Sequence, residues 1–219
     1  LAPLGSKFAI GAISKWADTS EMNINWDTLA SYLDVVDAAH PGVNVGTFVG
    51  YSTLRRGVIG DEIRTLTLEE REQVKYLLRQ AMQEGAFGLS LGLAYGHEKV
   101  SSTDEIIEIG KVLGEAGGII KIHLRSEGAD ILAAVNEAVR IGRETGAKIQ
   151  KSHFKSIGKK SWPLFEKAVA LVENAAASGL AIRFDVSPYR TTGSSLYLLV
   201  PACALSGGFS GLFKRIDAP

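Results

Sequence analysis

Short apolar runs alternate with amphipathic helical patterns along most of this chain of 219 residues. The apolar runs predict five strands, at 43–49, 87–93, 119–124, 148–154 and 180–186. The helical patterns predict five helices, at 27–40, 67–85, 102–117, 128–145 and 161–178. Because the connections between them are short, the chain is predicted to be an α/β protein with parallel strands and right-handed crossovers.

Two of the predicted helices begin with a recognisable capping signal. Thr67 precedes Glu70 by three residues, and Ser102 precedes Glu105 by the same spacing. This is the spacing of a capping box, in which the two residues satisfy each other's backbone N–H groups. The sequence therefore predicts a capping box at the start of each helix.

The polarity of the strand faces separates a closed barrel from an open sheet. In the third predicted strand, Ile120 and Ile122 share one face, while Lys121 and His123 share the other. The fifth predicted strand alternates in the same way. A sheet covered by helices on both sides is apolar on both faces, whereas a barrel has helices only on its outside. The pattern favours a (β/α)₈ barrel, and five units are too few to close one.

A five-residue pattern occurs twice, as Lys121-Ile122-His123-Leu124-Arg125 and as Lys151-Ser152-His153-Phe154-Lys155. Each copy ends a predicted strand, so His123 and His153 are expected at equivalent points of successive units. Neighbouring strands lie about 4.8 Å apart, which lets two imidazoles converge on one metal ion. The alternative is a pair of core or rim histidines that form hydrogen bonds with their neighbours, and the spacing alone does not decide between them.

Lys121 and Lys151 each lie two residues before a histidine and are predicted to point in the same direction as it. An unpaired ammonium is costly to bury. The preferred interpretation is that these lysines pair with Asp185 or Glu127. The alternative is a cation-rich floor that attracts an anionic substrate or neutralises metal-binding carboxylates.

Further polar side chains follow the predicted strands, where the loops of a barrel hold function. Arg125 and Glu127 come after the first histidine, Lys155 after the second, and Tyr95 and His97 after a glycine-rich strand. Arg and Lys at such positions can bind a substrate carboxylate. A solvated pair of rim charges is an equally good explanation of Arg125 and Glu127, and the glycines before Tyr95 can serve only the turn.

The composition narrows the classes of partner. Lys and Arg number 24 together, as do Asp and Glu, so no net field points to nucleic acid or to an anionic membrane. The sequence has no Walker-type loop, no paired cysteine motif and no apolar run of about 18 residues. Its one cysteine, Cys203, is typical of a reducing compartment. The chain is predicted to be soluble and cytoplasmic, with no nucleic-acid or membrane partner.

Five ordered motifs resemble those of a known enzyme family. They are Gly50-Tyr51-Ser52-Thr53-Leu54-Arg55, Gly85-Ala86-Phe87-Gly88-Leu89-Ser90-Leu91-Gly92-Leu93-Ala94-Tyr95, His123-Leu124-Arg125-Ser126-Glu127, Ser152-His153-Phe154-Lys155 and Asp185-Val186-Ser187-Pro188-Tyr189. Their order and spacing are similar to those of the N-acyl-D-amino-acid deacylases, or D-aminoacylases, of the amidohydrolase superfamily. The resemblance extends over nearly the whole chain.

The resemblance implies a distorted TIM-like (β/α)₈ metallo-hydrolase barrel. Residues 1–219 would form a partial catalytic barrel domain that contains about strands three to seven. His123 and His153 match zinc ligands on the fifth and sixth strands of the family barrel. The implied cofactor is one or two Zn²⁺ ions.

The resemblance also implies a substrate and a set of contacts to it. Tyr95 and Lys155 match positions that contact the substrate or its carboxylate, and Arg125 and Tyr189 complete the predicted substrate-binding set. The implied reaction is zinc-dependent hydrolysis of the amide bond of an N-acyl-D-amino acid, a small molecule.

By the same resemblance, the other metal ligands lie upstream of these residues and a catalytic aspartate lies downstream. No catalytic residue is therefore assigned here, and the isolated chain is expected to be inactive. Tyr51, Ser187 and the pair Gly96-His97 depart from the family pattern, which leaves the acyl group and the side-chain preference open. Two alternatives are an amidohydrolase that acts on cyclic amides or D-amino-acid dipeptides, similar to dihydroorotases, and a non-catalytic barrel remnant. The oligomeric state is not predicted.

Overall fold

The computed structural model describes residues 7–13, 18–21, 24–194, 198, 200–205 and 207–217. The strands are β1 (Val49–Gly50), β2 (Gly88–Gly92), β3 (Ile119–His123), β4 (Lys148–Phe154) and β5 (Ile182–Val186). The helices are α1 (Lys7–Ile13), α2 (Leu29–Ala38), α3 (Tyr51–Ile59), α4 (Leu68–Gln83), α5 (Gly96–Lys99), α6 (Thr103–Glu115), α7 (Ile131–Thr145), α8 (Trp162–Ala177) and α9 (Gly208–Ile216). None of the helices in these ranges combines the length and the apolar character that a membrane span requires.

The five strands form one parallel sheet in the order β1-β2-β3-β4-β5. Each strand from β2 to β5 therefore pairs with the strand that precedes it in the chain, and helices fill the connections. A doubly wound sheet reverses its strand order at a switch point, whereas a barrel adds its strands in sequence. The order of these strands is that of part of a barrel.

The core lies between the sheet and the helices on one of its sides. Ile120 and Ile122 of β3 are fully buried on that side, whereas Lys121 and His123 on the other side are half-buried. The predicted alternation of β3 is thus confirmed. The opposing helix residues are apolar and buried; they include Ile106, Ile109 and Leu113 of α6 and Val135, Ala138 and Ile141 of α7.

One of the two predicted capping boxes is complete and the other is only half formed. At α4, the Glu70 N–H donates to Thr67 Oγ1 and the Thr67 N–H donates to Glu70 Oε2. At α6, the Glu105 N–H donates to Ser102 Oγ, but the Glu105 carboxylate points into the core instead of returning to the helix start. The reason is a buried arginine, Arg55, which pairs with this carboxylate.

The first predicted strand is wrong in its bounds. Residues 43–48 are not paired as strand, and β1 begins only at Val49. Val43 and Val45 are 74% and 45% exposed, so the apolar residues that suggested a strand have no layer to pack against. The sequence prediction also missed α3, which follows β1 directly; its N-cap, Gly50, has no side chain to signal a helix start.

The last strand, β5, lies at an edge of the sheet, and its apolar face is only partly covered. Ile182 is buried, whereas Phe184 is 39% and Val186 58% exposed. Phe184 still contacts Phe154 of β4, with ring centroids 5.2 Å apart. The predicted division of β5 into an apolar and a polar face is confirmed, but burial of the apolar face ends after Ile182.

Candidate metal centre

His123 and His153 lie at the C-terminal ends of neighbouring strands, and their side chains meet. His123 Nδ1 is 2.9 Å from His153 Nε2, and the ring centroids are 4.5 Å apart. The predicted convergence of the two imidazoles is therefore confirmed. Their role as metal ligands stays a prediction.

An irregularity in β4 turns His153 toward His123. The register between β4 and β5 shifts between Lys151 and Phe154, and His153 has a positive φ of 37°. Such a shift is a β-bulge, in which an extra residue bends the strand and redirects a side chain. The two copies of the repeated pattern are therefore built differently, although both end in a histidine at the same site.

The register corrects the prediction that Lys121 and Lys151 point in the same direction. Lys121 lies opposite Gln150, and Lys151 lies opposite Ile122. Partners in a parallel sheet share a face, so Lys151 lies on the buried, helix-covered side and Lys121 on the other. The physical reason is the bulge, because counting two residues back from His153 crosses an irregular segment.

Both lysines have carboxylate partners, as the preferred interpretation predicted. Lys121 Nζ is 3.7 Å from Asp185 Oδ2, and Lys151 Nζ is 3.1 Å from Glu127 Oε1. Lys151 is only 1% exposed. Burial lowers the pKa of Lys151 to about 8, and the charge of Glu127 opposes that decrease. The ammonium is thus held in the core by one carboxylate.

Glu127 also contacts one of the histidines and a second lysine. Its Oε1 is 3.0 Å from His153 Nδ1, and its Oε2 is 2.6 Å from Lys155 Nζ. Burial raises the pKa of this carboxyl, but the hydrogen bond from Lys155 and the charge of Lys151 outweigh it, so the pKa lies below its usual range. The Glu127 carboxylate therefore joins two ammonium groups, those of Lys151 and Lys155, to the imidazole of His153.

His153 Nδ1 has two polar neighbours of opposite kind, and only one of them can accept its proton. Lys155 Nζ lies 2.9 Å from His153 Nδ1, but an ammonium can only donate, whereas Glu127 can only accept. An Nδ1–H group that donates to Glu127 leaves Nε2 with a free lone pair toward His123. A ligand histidine oriented by a carboxylate in this way is a common arrangement around protein-bound metals.

His123 is suited to ligation because it is neutral. Burial lowers the pKa of His123 to about 4; Glu127 opposes this decrease, and the positive charges nearby add to it. A metal binds the unprotonated nitrogen of imidazole. The ring of Tyr95 packs against His123, with centroids 5.1 Å apart, and covers this side of the site.

The geometry fits a metal ion of the zinc type. His123, Glu127 and His153 bring ligand atoms within 4.8 Å of one another. Two nitrogens bound tetrahedrally to zinc at 2.0–2.1 Å are about 3.3 Å apart. The observed 2.9 Å is close to that value, and a small rotation of either ring closes the difference. Imidazole is an ordinary zinc ligand, and the Glu127 carboxylate lies beside the two histidines.

The loop that carries Tyr95 is fixed by two buried side chains whose roles the sequence did not reveal. The Glu98 carboxylate accepts hydrogen bonds from the backbone N–H groups of Gly92 and Ser52. His97 Nε2 lies 2.9 Å from the Gly60 carbonyl oxygen. Burial raises the pKa of Glu98 to about 7 and lowers that of His97 to about 3. Their burial depends on contacts distant in sequence.

The other predicted substrate contacts lie in different environments. Lys155 is beside His153 and Glu127, within the site. Arg125 forms an ion pair with Glu137 at 2.7 Å and donates to the carbonyl oxygens of Lys99 and Ser101. These contacts anchor its guanidinium to α7 and to the segment between α5 and α6. The predicted contact of Arg125 with substrate therefore gains no support.

Tyr189 follows β5 in the loop and is 77% exposed. Tyr51, one of the departures from the family pattern, is fully buried and donates to Glu105. This departure is therefore a change in the core and not in a substrate loop. The predicted role of Tyr189 stays a prediction.

Comparison with known proteins gives consistent matches, although no protein-family model matches the chain. The chain is 37% identical over 171 residues to a D-aminoacylase from Alcaligenes xylosoxydans xylosoxydans, covering 78% of this chain and 35% of that protein. It is similar to a solved D-aminoacylase with a binuclear metal centre, with a TM-score of 0.72, 36% identity and coverage of 75% of this chain and 34% of that one. It is also similar to N-acyl-D-glutamate deacylase from Bordetella bronchiseptica, solved with zinc and a phosphonate inhibitor, with a TM-score of 0.73, 30% identity and coverage of 75% and 35%.

These matches have two features in common. The chain spans about a third of the length of each protein. Over three quarters of this chain, the two solved structures have the same architecture, which confirms the predicted α/β fold.

Proposed function

Since the chain is related to the N-acyl-D-amino-acid deacylases over 78% of its length, we propose that it contributes the histidine part of a zinc centre to an enzyme of the amidohydrolase superfamily. The reaction is hydrolysis of the amide bond of an N-acyl-D-amino acid. One observation carries this proposal: His123 Nδ1 and His153 Nε2 lie 2.9 Å apart at the ends of adjacent parallel strands. In a barrel, that end of the strands holds the active site.

Each side chain of the site has a definite task in this proposal. His123 and His153 would hold one or two Zn²⁺ ions, and Glu127 would keep the Nδ1 proton of His153 away from the metal side. When bound, zinc polarises the amide carbonyl and lowers the pKa of a bound water to about 7. Lys155 presents an ammonium to the carboxylate of the substrate, and Tyr95 forms the wall beside His123.

The remaining parts of the catalytic machinery are assigned to other parts of the barrel. Catalytic zinc normally has three protein ligands, and the described residues supply two imidazoles with an adjacent carboxylate. Residues 1–219 are accordingly a partial catalytic barrel domain, with about strands three to seven. The cytoplasm remains the predicted compartment, on the basis of the single Cys203.

Zinc binding by the chain tests the ligand assignment. We expect the wild-type chain to bind zinc stoichiometrically, and the His123→Ala and His153→Ala variants to lose that binding because one nitrogen ligand is gone. His40→Ala is the matched control, since His40 is exposed and lies two residues after the last residue of α2. Equilibrium dialysis with metal analysis gives the stoichiometry. Full zinc retention by His153→Ala would show that the ligand assignment is wrong.

A substrate panel tests the reaction. The longer protein, with the rest of its barrel, is expected to hydrolyse N-acetyl-D-amino acids in preference to their L-enantiomers, whereas the isolated chain is expected to be inactive because it lacks a third ligand. Release of the free amino acid is the measurement. Preferred turnover of a cyclic amide or of a D-amino-acid dipeptide supports the dihydroorotase-like alternative. No turnover of any of these by a zinc-loaded protein supports the non-catalytic remnant.

A further inference from the structure

The placement of His153 on the metal side of the sheet depends on the bulge in β4. Lys151 lies opposite Ile122 and faces the helices. In a regular strand, alternate residues share a face, so His153 would face the helices as well. The observed His153 instead reaches His123 with a positive φ of 37°. That conformation is rare for a residue with a Cβ and persists only where surrounding contacts hold it.

Asp185 of β5 provides such a contact. The backbone N–H of His153 donates to Asp185 Oδ1. A bulge takes this N–H out of the regular strand ladder, and the carboxylate replaces the missing acceptor. The hydrogen bond joins the bulged residue to the neighbouring strand on the side of the sheet that holds the metal site.

Two further side chains fix the orientation of this carboxylate. Gln150 Nε2 donates to Asp185 Oδ2 at 3.1 Å, and Lys121 Nζ lies 3.7 Å from the same oxygen. They approach from β4 and β3, so the carboxylate is held across three strands. Oδ2 is engaged by one hydrogen bond and one ion pair, which leaves Oδ1 directed at the His153 N–H.

We propose that Asp185 is a positioning residue that sets the direction of His153 by accepting its backbone N–H and thereby maintaining the bulge. Asp185 touches the backbone of the predicted ligand and acts on the metal only through it. Lys121 and Gln150 serve the same end by holding the carboxylate. The effect on the metal rests on the proposed function, whereas the effect on the His153 backbone does not.

The test compares Asp185→Ala and Asp185→Asn with Asp104→Ala, a matched control at a surface aspartate whose side chain is 78% exposed. Zinc affinity is measured by competition with a chelator, and thermal unfolding is followed by circular dichroism. Loss of a partner that orients a ligand typically lowers metal affinity by about 10–100-fold. We expect that loss in Asp185→Ala, a smaller one in Asp185→Asn because an acceptor oxygen remains, and none in Asp104→Ala. Similar thermal midpoints exclude general unfolding as the cause.

A measurement on the metal-free protein tests the role of Asp185 independently of zinc binding. The amide chemical shift of His153 reports the surroundings of its N–H, and the three-bond coupling between its amide proton and its Hα reports its φ. Both are expected to change in Asp185→Ala and to stay unchanged in Asp104→Ala. If the wild-type chain binds no zinc, the metal assignment fails, and these resonances alone decide the role of Asp185. An unchanged His153 backbone in Asp185→Ala overturns the proposal. If Asp185→Ala does not fold, Asp185→Asn replaces it. An Asp185→Asn variant that keeps both the zinc affinity of the wild type and an unchanged His153 amide resonance overturns the proposal.

Discussion

Replacing Glu105 with alanine is expected to lower the free energy of unfolding by about 3–5 kcal/mol. Glu105 Oε1 lies 2.7 Å from Arg55 Nη1, and neither side chain has any exposed surface. The Tyr51 hydroxyl donates to the same oxygen at 2.6 Å. Without the carboxylate, the guanidinium is a buried charge that forms no other ion pair among the described residues. Urea unfolding followed by circular dichroism measures the loss.

Two comparisons separate the buried charge from the other effects of this mutation. Glu144→Ala removes an exposed partner of Arg140 in α7, with both side chains about half exposed, and should cost only about 0.3–0.5 kcal/mol. The double variant Arg55→Met with Glu105→Leu removes both charges and is expected to recover most of the stability. A loss in Glu105→Ala no larger than that in Glu144→Ala would contradict the interpretation.

Replacing Glu127 with alanine is expected to affect both stability and zinc binding. Lys151, 1% exposed, would lose its carboxylate partner, at a cost of about 3–5 kcal/mol. His153 would lose the acceptor of its Nδ1 proton, which is expected to weaken zinc binding by about 10–100-fold. Urea unfolding measures the first effect and chelator competition the second.

The double variant Glu127→Ala with Lys151→Met assigns the two effects to their causes. Methionine fills the space of the lysine stem without a charge, so most of the lost stability is expected to return. Zinc affinity should stay low, because His153 still lacks its acceptor. Recovery of both properties would mean that Glu127 acts on the site only by keeping the protein folded.

The parts of the fold that could be predicted are those in which local pattern and tertiary packing agree. In β3, half-buried and buried residues alternate without interruption, and the buried faces of α6 and α7 repeat at helical spacing. The capping box of Thr67 and Glu70 could be read directly. At α6 the same signal misleads, because Arg55, 50 residues away in sequence, pairs with the Glu105 carboxylate. The position of a charged residue that is distant in sequence cannot be predicted from a local motif.

The residues of the candidate site could be predicted in part, but their orientation could not. The two histidines follow from a repeated pattern, and the pairing of the lysines with Asp185 and Glu127 follows from the cost of burying a bare ammonium. The bulge at His153 has no sequence marker here, since its positive φ falls on a residue other than glycine. The position of Glu127 depends on the path of the loop after β3. Backbone irregularities and loop paths are set by tertiary contacts, so the orientation of Lys151 and the contacts of His153 Nδ1 with Glu127 and Lys155 required the structure.

The partly bare face of β5 has a practical consequence for work with this chain. Phe184 and Val186 form an exposed apolar strip on an edge strand. Unpaired edges with apolar side chains are templates for aggregation, since a second chain can add its own strand to them. Preparations are therefore best kept dilute, and a charged substitution such as Val186→Lys gives a more tractable protein for metal titrations, because a lysine on an edge strand disfavours such pairing.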